Sequence, residues 1–349
     1  ATGRAKRPDV FKKERRKVEE SPKDKCPFCK ISAQEKPTLI LNNGEVISSA
    51  VIPPKNWSVV VIPNKFPAVI SYPRLIIQKE GEFYQKMNAI GFHEVVVTKD
   101  HRKSLGQLKT EEVKEVLDAY QQRYLDLMKE KFVNYISIFH NHGKEAGASV
   151  SHPHSQIITT PLIDVDLKKA ILNSEGYYEK TKSQRDKSLL HPSLRSDSQR
   201  DKSLLHPSLR SGKCVYCQMN EWEKKVKKRV VFENEGFLAI CPFASKAAFE
   251  IIISPKKHLP YFEEIIEKEK WGLAEAFQAS LNKLYKGLGD PAYNFYLHTS
   301  PCGGKKYPYY HWHWTILPKT ASWAGFEIGT RMEISTITPE KAAEYLRKQ

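Results

Sequence analysis

Six cysteines are spread over the 349 residues, and four of them fall into two C-x-x-C pairs, Cys26-Pro27-Phe28-Cys29 and Cys214-Val215-Tyr216-Cys217. Two thiolates separated by two residues can meet one tetrahedral ion. A redox role would need a thioredoxin-like strand-to-helix setting, and nothing around either pair supplies one. Histidines complete the tetrahedra: His101 and His152 follow the first pair, His258 and His311 the second. In each Cys₂His₂ set the two thiolates neutralise a Zn²⁺ ion, and four protein ligands leave no open position. Two structural zinc sites are therefore expected, one on Cys26, Cys29, His101 and His152, the other on Cys214, Cys217, His258 and His311.

The segment His152-Pro153-His154-Ser155-Gln156 can do chemistry of its own. On an extended strand residues i and i+2 project from one face, so one imidazole can hold the metal while the next points at a substrate. The preceding loop, Asn141 to Ser149, is rich in small residues whose backbone amides suit a phosphate. A neutral imidazole beside such a cradle can attack phosphorus and form a covalent phospho-histidine-type intermediate. His154 is the expected nucleophile.

The elements that must position these residues occur twice in the same order. In the first half the strand Phe92 to Val97 ends near Asp100-His101, a helix is predicted from about Thr110 to Lys131, and a strand from Tyr135 to Phe139 leads to His140 and the H-x-H. Val113, Val116, Leu117, Tyr120, Tyr124 and Leu127 give that helix its buried face. In the second half a strand over Phe249 to Ile253 ends near Lys257-His258. A helix follows from about Glu263 to Tyr285, and a strand over Tyr293 to Leu297 leads to His298, a Gly303-Gly304 loop and His311-Trp312-His313-Trp314. His101 and His152 stand 51 residues apart, His258 and His311 53, which chance does not readily produce. The fold class is α+β, a tandem duplication of a unit in which antiparallel strands surround one long helix. His93, His140 and His298 sit in or beside strands and are expected to be packed or hydrogen-bonded. His313 is expected to be structural or substrate-facing, and Cys241 and Cys302 to be small buried residues.

Between the halves, Ser183 to Ser196 recurs unchanged as Ser198 to Ser211, a duplication inside a tolerant polar linker. The expected division is therefore a first unit over 1–165, a linker over 166–213 and a second unit over 214–349. The formal charge is +16, but residues 1–30 and 183–211 supply more than half of it, leaving a mildly basic body. Such a body suits anionic small molecules as well as nucleic acid. A basic zinc-ribbon nucleic-acid-binding protein is the alternative of another class. No apolar run is long enough to span a bilayer, and the basic start has no signal-peptide core, so a cytoplasmic protein without membrane contact is expected.

The H-P-H-x-Q motif, the paired C-x-x-C, Arg4-Ala5-Lys6-Arg7-Pro8, Asn64-x-Phe66-Pro67-Ala68 and Gly325 to Thr330 together resemble the galactose-1-phosphate uridylyltransferase family of the histidine-triad superfamily, in its two-zinc bacterial and plant branch. The resemblance spans nearly the whole chain outside the duplicated linker. It implies two histidine-triad-like half-barrel units and ping-pong transfer of uridylyl between hexose 1-phosphates through a nucleotidyl-histidine on His154. It also implies Ser149 and Gln156 on the nonbridging phosphate oxygens. Arg7, Asn64 and Phe66 would line the nucleoside pocket, with Asn141 and Gly147 at the ribose and phosphate. The implied partners are a nucleotide sugar and a hexose 1-phosphate, with no nucleic acid, and a homodimer is the expected assembly. Hydrolytic histidine-triad proteins carry a third His where this chain has Gln156; an amide cannot deliver an acidic proton, which favours transfer between phosphates. The galactose enzymes carry Tyr-Glu where this chain has Thr330-Arg331. Either uracil or adenine fits Asn64 and Phe66, so the related activity, an ADP-hexose donating adenylyl to phosphate, is the enzyme alternative.

Overall fold

The structure, a computed structural model, describes residues 22–47, 53–189, 212–320 and 324–349. Arg7 and residues 190–211, which hold most of the duplicated linker, lie outside them. The first repeat comprises β1 (Leu39–Asn42), β2 (Glu45–Val46), β3 (Val59–Pro63), the hairpin β4 (Ile77–Glu80) and β5 (Tyr84–Met87), β6 (His93–Thr98), α1 (Thr110–Leu127), β7 (Tyr135–His142) and β8 (His154–Thr160). A connecting helix, α2 (Val165–Leu189), follows. The second repeat comprises α3 (Val215–Val226), β9 (Val230–Glu233), β10 (Phe237–Ile240), β11 (Ile251–Pro255), α4 (Glu267–Leu288), β12 (Tyr293–His298) and β13 (His313–Pro318), and the chain closes with α5 (Gly325–Thr330) and α6 (Pro339–Arg347).

Eleven strands form one antiparallel sheet in the order β2-β1-β3-β6-β8-β7-β12-β13-β11-β10-β9. Read outward from the β7–β12 seam, the two repeats have the same strand order and the same helix placement. Across the seam Asn294 pairs with Asn141 and Tyr296 with Phe139, so the repeats share one hydrogen-bonded surface. The long helix of each repeat, α1 and α4, lies on one and the same face. There Val116, Leu117 and Tyr120 of α1 and Leu273, Phe277 and Leu281 of α4 join Val96, Ile138, Ile157, Ile253, Phe295 and Trp314 in one core. Alternation along the strands sends His154, Gln156, Val95 and Val97 to the opposite face.

The helix boundaries differ from expectation for local reasons. α1 ends at Leu127, short of Lys131, because the N–H groups of Glu130 and Val133 bond to Leu127 and Glu130 carbonyls and turn the chain into β7. α4 starts at Glu267, since Glu263 belongs to a separate 3₁₀ turn and Glu269 caps the free N–H of Ile266 at 3.0 Å. It runs past Tyr285 to Leu288, where Gly289 at φ +72° ends it in the left-handed conformation. β11 begins at Ile251 because Phe249, at φ +66°, cannot continue a strand. Cys241 is buried in the core and Cys302 packs against its edge. Among the described residues no helix is long and apolar enough to cross a membrane.

The turn after β6 seats α4 against the first repeat. Gly106 lies so close to this helix that a Cβ there would stand 2.7 Å from the Leu281 carbonyl carbon, and its own carbonyl accepts Asn282 Nδ2 at 2.8 Å. Because the obstacle is backbone, Gly106→Ala must displace α4. We expect it to lower the unfolding free energy by about 1–3 kcal/mol in chemical denaturation; an unchanged midpoint would contradict this packing.

Candidate active site and metal clusters

Four side chains from three separate segments converge at the end of β6 and β8. Cys26 and Cys29 come from the turn before β1, His101 from just beyond β6 and His152 from just before β8. Cys29 Sγ lies 3.2 Å from His101 Nδ1 and 3.7 Å from His152 Nδ1, Cys26 Sγ lies 3.5 Å from His152 Nδ1, and the two Nδ1 atoms are 3.3 Å apart. A tetrahedral ion bound at ordinary Cys and His distances has edges of about 3.5 Å between S and N and about 3.3 Å between N and N. The donor set fits such an ion. His152 Nε2–H donates to the Thr98 carbonyl at 2.8 Å, which leaves Nδ1 as a lone pair facing the cluster. Partial burial, with Cys26 alongside, pushes the Cys29 thiol up to about 11.

Cys214, Cys217, His258 and His311 form the second cluster. Cys217 Sγ is 3.4 Å from each Nδ1, and the Nε2–H groups of His258 and His311 donate to the carbonyls of Pro308 and Pro255 at 2.8 and 2.9 Å. All eight expected ligands thus lie in two groups that could each hold a metal ion.

His154 is built onto the first cluster. Its Nδ1–H donates to the carbonyl of His152 at 2.9 Å, and the Phe28 ring, inside the first C-x-x-C, packs against it with centroids 4.9 Å apart. Only 9% of the residue is exposed, and burial lowers its pKa, so the ring is neutral with its proton on Nδ1. Nε2 is therefore an available lone pair, the electronic state a nucleophile requires.

Gln156 shares the face of His154, two residues along β8. Its Oε1 lies 2.8 Å from Nε2 of His93, whose Nδ1 accepts the N–H of Ala68 at 3.0 Å. Asn64 Oδ1 accepts the N–H of Phe66 at 2.9 Å, and its Nδ2 stands 3.0 Å from His93 Nε2. His93, expected to be packed or hydrogen-bonded, is hydrogen-bonded, and through these bonds it links two expected site segments. Phe66 is 81% exposed, held at the surface by this turn.

The glycine-containing loop is shaped from both repeats. Asn294 Nδ2, across the seam, donates at 2.8 Å to Asn141 Oδ1 and to the Ala146 carbonyl, which leaves the amide end of Asn141 pointing toward Gly147. Gly143 and Gly147 take φ of +87° and +89°, which favours glycine at both. Ser149 is exposed at the end of the loop. The role of Asn294 was not visible in the sequence because it depends on the pairing of β7 with β12. Behind the site, Ser155 bonds Tyr120 Oη at 2.5 Å and His140 Nδ1 at 3.1 Å on the helix-covered face. In the second repeat His313 repeats the donation to a carbonyl, that of His311, at 3.2 Å, but its ring packs against His298 at 4.8 Å and Tyr216 at 5.4 Å.

The profile for the N-terminal domain of galactose-1-phosphate uridyl transferase matches residues 1–163. The ADP-glucose phosphorylase of Arabidopsis thaliana is 30% identical over 99% of this chain and 88% of its own length. The galactose-1-phosphate uridylyltransferase of Thermotoga maritima is 28% identical over 84% of this chain and 86% of its own. The crystal structure of the Arabidopsis phosphorylase with bound ADP-glucose superposes with a TM-score of 0.72 at 26% identity, covering 95% of this chain and 92% of that one. Fold and site thus define an enzyme of the transferase class. The chain belongs to the galactose-1-phosphate uridylyltransferase family.

Two outcomes follow. Cys29→Ser should reduce bound metal, measured by elemental analysis, from about two ions per chain to about one; unchanged content would contradict the ligand assignment. Burial holds the pKa of His140 well below its usual 6.5, so the unfolded chain binds a proton that the folded chain does not. That contribution to stability is complete above pH 6.5 and is lost as pH falls from there toward the folded pKa. His140→Phe should therefore flatten the acid side of the stability–pH curve relative to the parent, and parallel curves would contradict it.

Proposed function

We propose that this chain is a UDP-glucose–hexose-1-phosphate uridylyltransferase, working in the cytoplasm through a nucleotidyl-histidine on His154. The observation that carries the reading is the neutral, buried His154 imidazole whose proton is committed to the His152 carbonyl. His154 Nε2 attacks the α-phosphorus of the nucleotide sugar; the N–P bond forms as the bond to the hexose 1-phosphate oxygen breaks. That leaving group departs as a phosphate and needs no proton, which suits Gln156. An oxygen of a second hexose 1-phosphate then attacks the same phosphorus and the N–P bond breaks. Two inversions give retention at phosphorus.

Gln156 and Ser149 serve the nonbridging oxygens as the phosphorus becomes five-coordinate. Asn141 and the Gly147 loop hold the ribose-phosphate region, and Arg7, Asn64 and Phe66 the nucleoside. The ions proposed for the two clusters are zinc, in keeping with their thiolate-rich donor sets. When bound, the first ion holds His101 and His152 in place, and with them the carbonyl that orients His154. In this reading residues 1–165 supply the nucleophile, 166–213 connect the units, and 214–349 complete the site across the seam. The assembly is a homodimer acting on small anionic substrates rather than nucleic acid.

A second reading, adenylyl transfer from an ADP-hexose to phosphate, is favoured by the near full-length similarity to the Arabidopsis phosphorylase and by Thr330-Arg331 in place of Tyr-Glu. Exchange kinetics separate the two. We expect UDP-glucose with galactose 1-phosphate to give parallel-line ping-pong patterns, and His154→Ala to lose at least about 10³-fold in turnover. Turnover of ADP-glucose with phosphate alone would replace the first reading by the second, and no turnover of either donor would overturn both.

A further inference from the structure

We infer that His93 is a positioning residue for nucleotidyl transfer: its imidazole N–H holds the Gln156 carboxamide so that the NH₂ end alone faces the phosphorus at His154. The inference rests on the nucleotidyl-transfer reading above.

One donor at this ring cannot be reversed. The backbone N–H of Ala68 points at His93 Nδ1 from 3.0 Å, so Nδ1 must be the unprotonated nitrogen. A neutral ring then carries its proton on Nε2. Two carboxamides stand at that nitrogen. Asn64 has already given its oxygen to the N–H of Phe66, so it presents only Nδ2 there. The remaining acceptor is Gln156 Oε1 at 2.8 Å. Three bonds thus determine one another in sequence, from a main-chain amide to the tautomer of a ring to the orientation of a side-chain amide.

The consequence lies on the far side of Gln156. Strand register sets Val95 opposite Gln156 and Val97 opposite His154, so His93, Gln156 and His154 occupy one face in a row. With Oε1 tied back to His93, the NH₂ group is the end left to meet substrate. The nonbridging oxygens of the reacting phosphorus gain negative charge as it becomes five-coordinate, and a preoriented donor stabilises them. An amide free to turn over would present its oxygen to those oxygens for part of the time. His93 prevents that while touching no reacting atom. Because Ala68 follows Asn64 and Phe66, the same ring ties the nucleoside-side segment to the phosphate-side donor.

The test uses the full-length, metal-loaded protein and single-turnover formation of the nucleotidyl-enzyme from whichever donor it accepts. The side-chain nitrogen of glutamine can reach the place of an imidazole Nε2; that of asparagine falls short. We expect His93→Leu and His93→Asn each to slow adduct formation by roughly 10- to 100-fold, with donor KM within about 3-fold, and His93→Gln to stay within about 5-fold of the parent. In a Gln156→Ala background, His93→Leu should cost less than about 2-fold more, because the two residues act as one unit. Independently of activity, ¹⁵N-histidine spectra should show the His93 proton on Nε2 at neutral pH. A proton on Nδ1, equal losses for the Gln and Leu variants, or additive losses in the double variant would overturn the inference. A parent protein that forms no adduct from any nucleotide sugar would instead overturn the reaction, and the tautomer would still be readable.

Discussion

Three polar groups of His152 are committed, both ring nitrogens and the main-chain oxygen, and the rest of the site follows from that arrangement. Nδ1 faces the Cys26, Cys29 and His101 cluster, Nε2–H is given to the Thr98 carbonyl, and the main-chain oxygen accepts the proton of His154 Nδ1. The backbone that places the ligand therefore also selects the tautomer of its neighbour two residues on. Phe28 adds a second link, since the same C-x-x-C turn that brings the thiols packs its aromatic ring on His154. The first cluster thus bears on the tautomer of its neighbour, because it holds the atom that decides which nitrogen of His154 is free.

Duplication has supplied two copies of this arrangement, and the H-P-H-x-Q segment stands in one of them only. At the position of Ser155 the second repeat has Trp314, which packs edge-on against Phe262, Phe277 and Phe295 in the shared core. At the position of Gln156 it has Thr315, which carries no carboxamide. The second repeat also supports the first: β12 continues the sheet and Asn294 holds Asn141 and the glycine loop.

Much of this was legible in the chain. The paired C-x-x-C, the nearly equal spacing of histidines and the H-P-H-x-Q segment were enough to gather the eight residues of the two clusters and to place His154 on a strand beside one of them. The long helices were legible from their apolar periodicity, but their ends were not. Gly289 stops α4 through its backbone conformation, and Ile266 starts it through a cap from Glu269, both outside the reach of periodicity. The partners of the site were hidden for a different reason. His93 and Asn294 act through strand register and through a seam between repeats some 150 residues apart in sequence, and register is a property of pairing rather than of either strand alone. Arg7 lies outside the described residues, so its expected place in the nucleoside pocket stands on resemblance.

The claim on which the account depends is that His154 itself becomes covalently loaded. Its most direct test is peptide mapping by mass spectrometry of protein mixed with UDP-glucose or ADP-glucose and quenched in base, where a phosphoramidate survives. The account requires a nucleoside monophosphate on the peptide containing His154, with fragment ions placing it on that residue. An adduct on another side chain, or hexose 1-phosphate released with the protein unmodified at every time point, would contradict it.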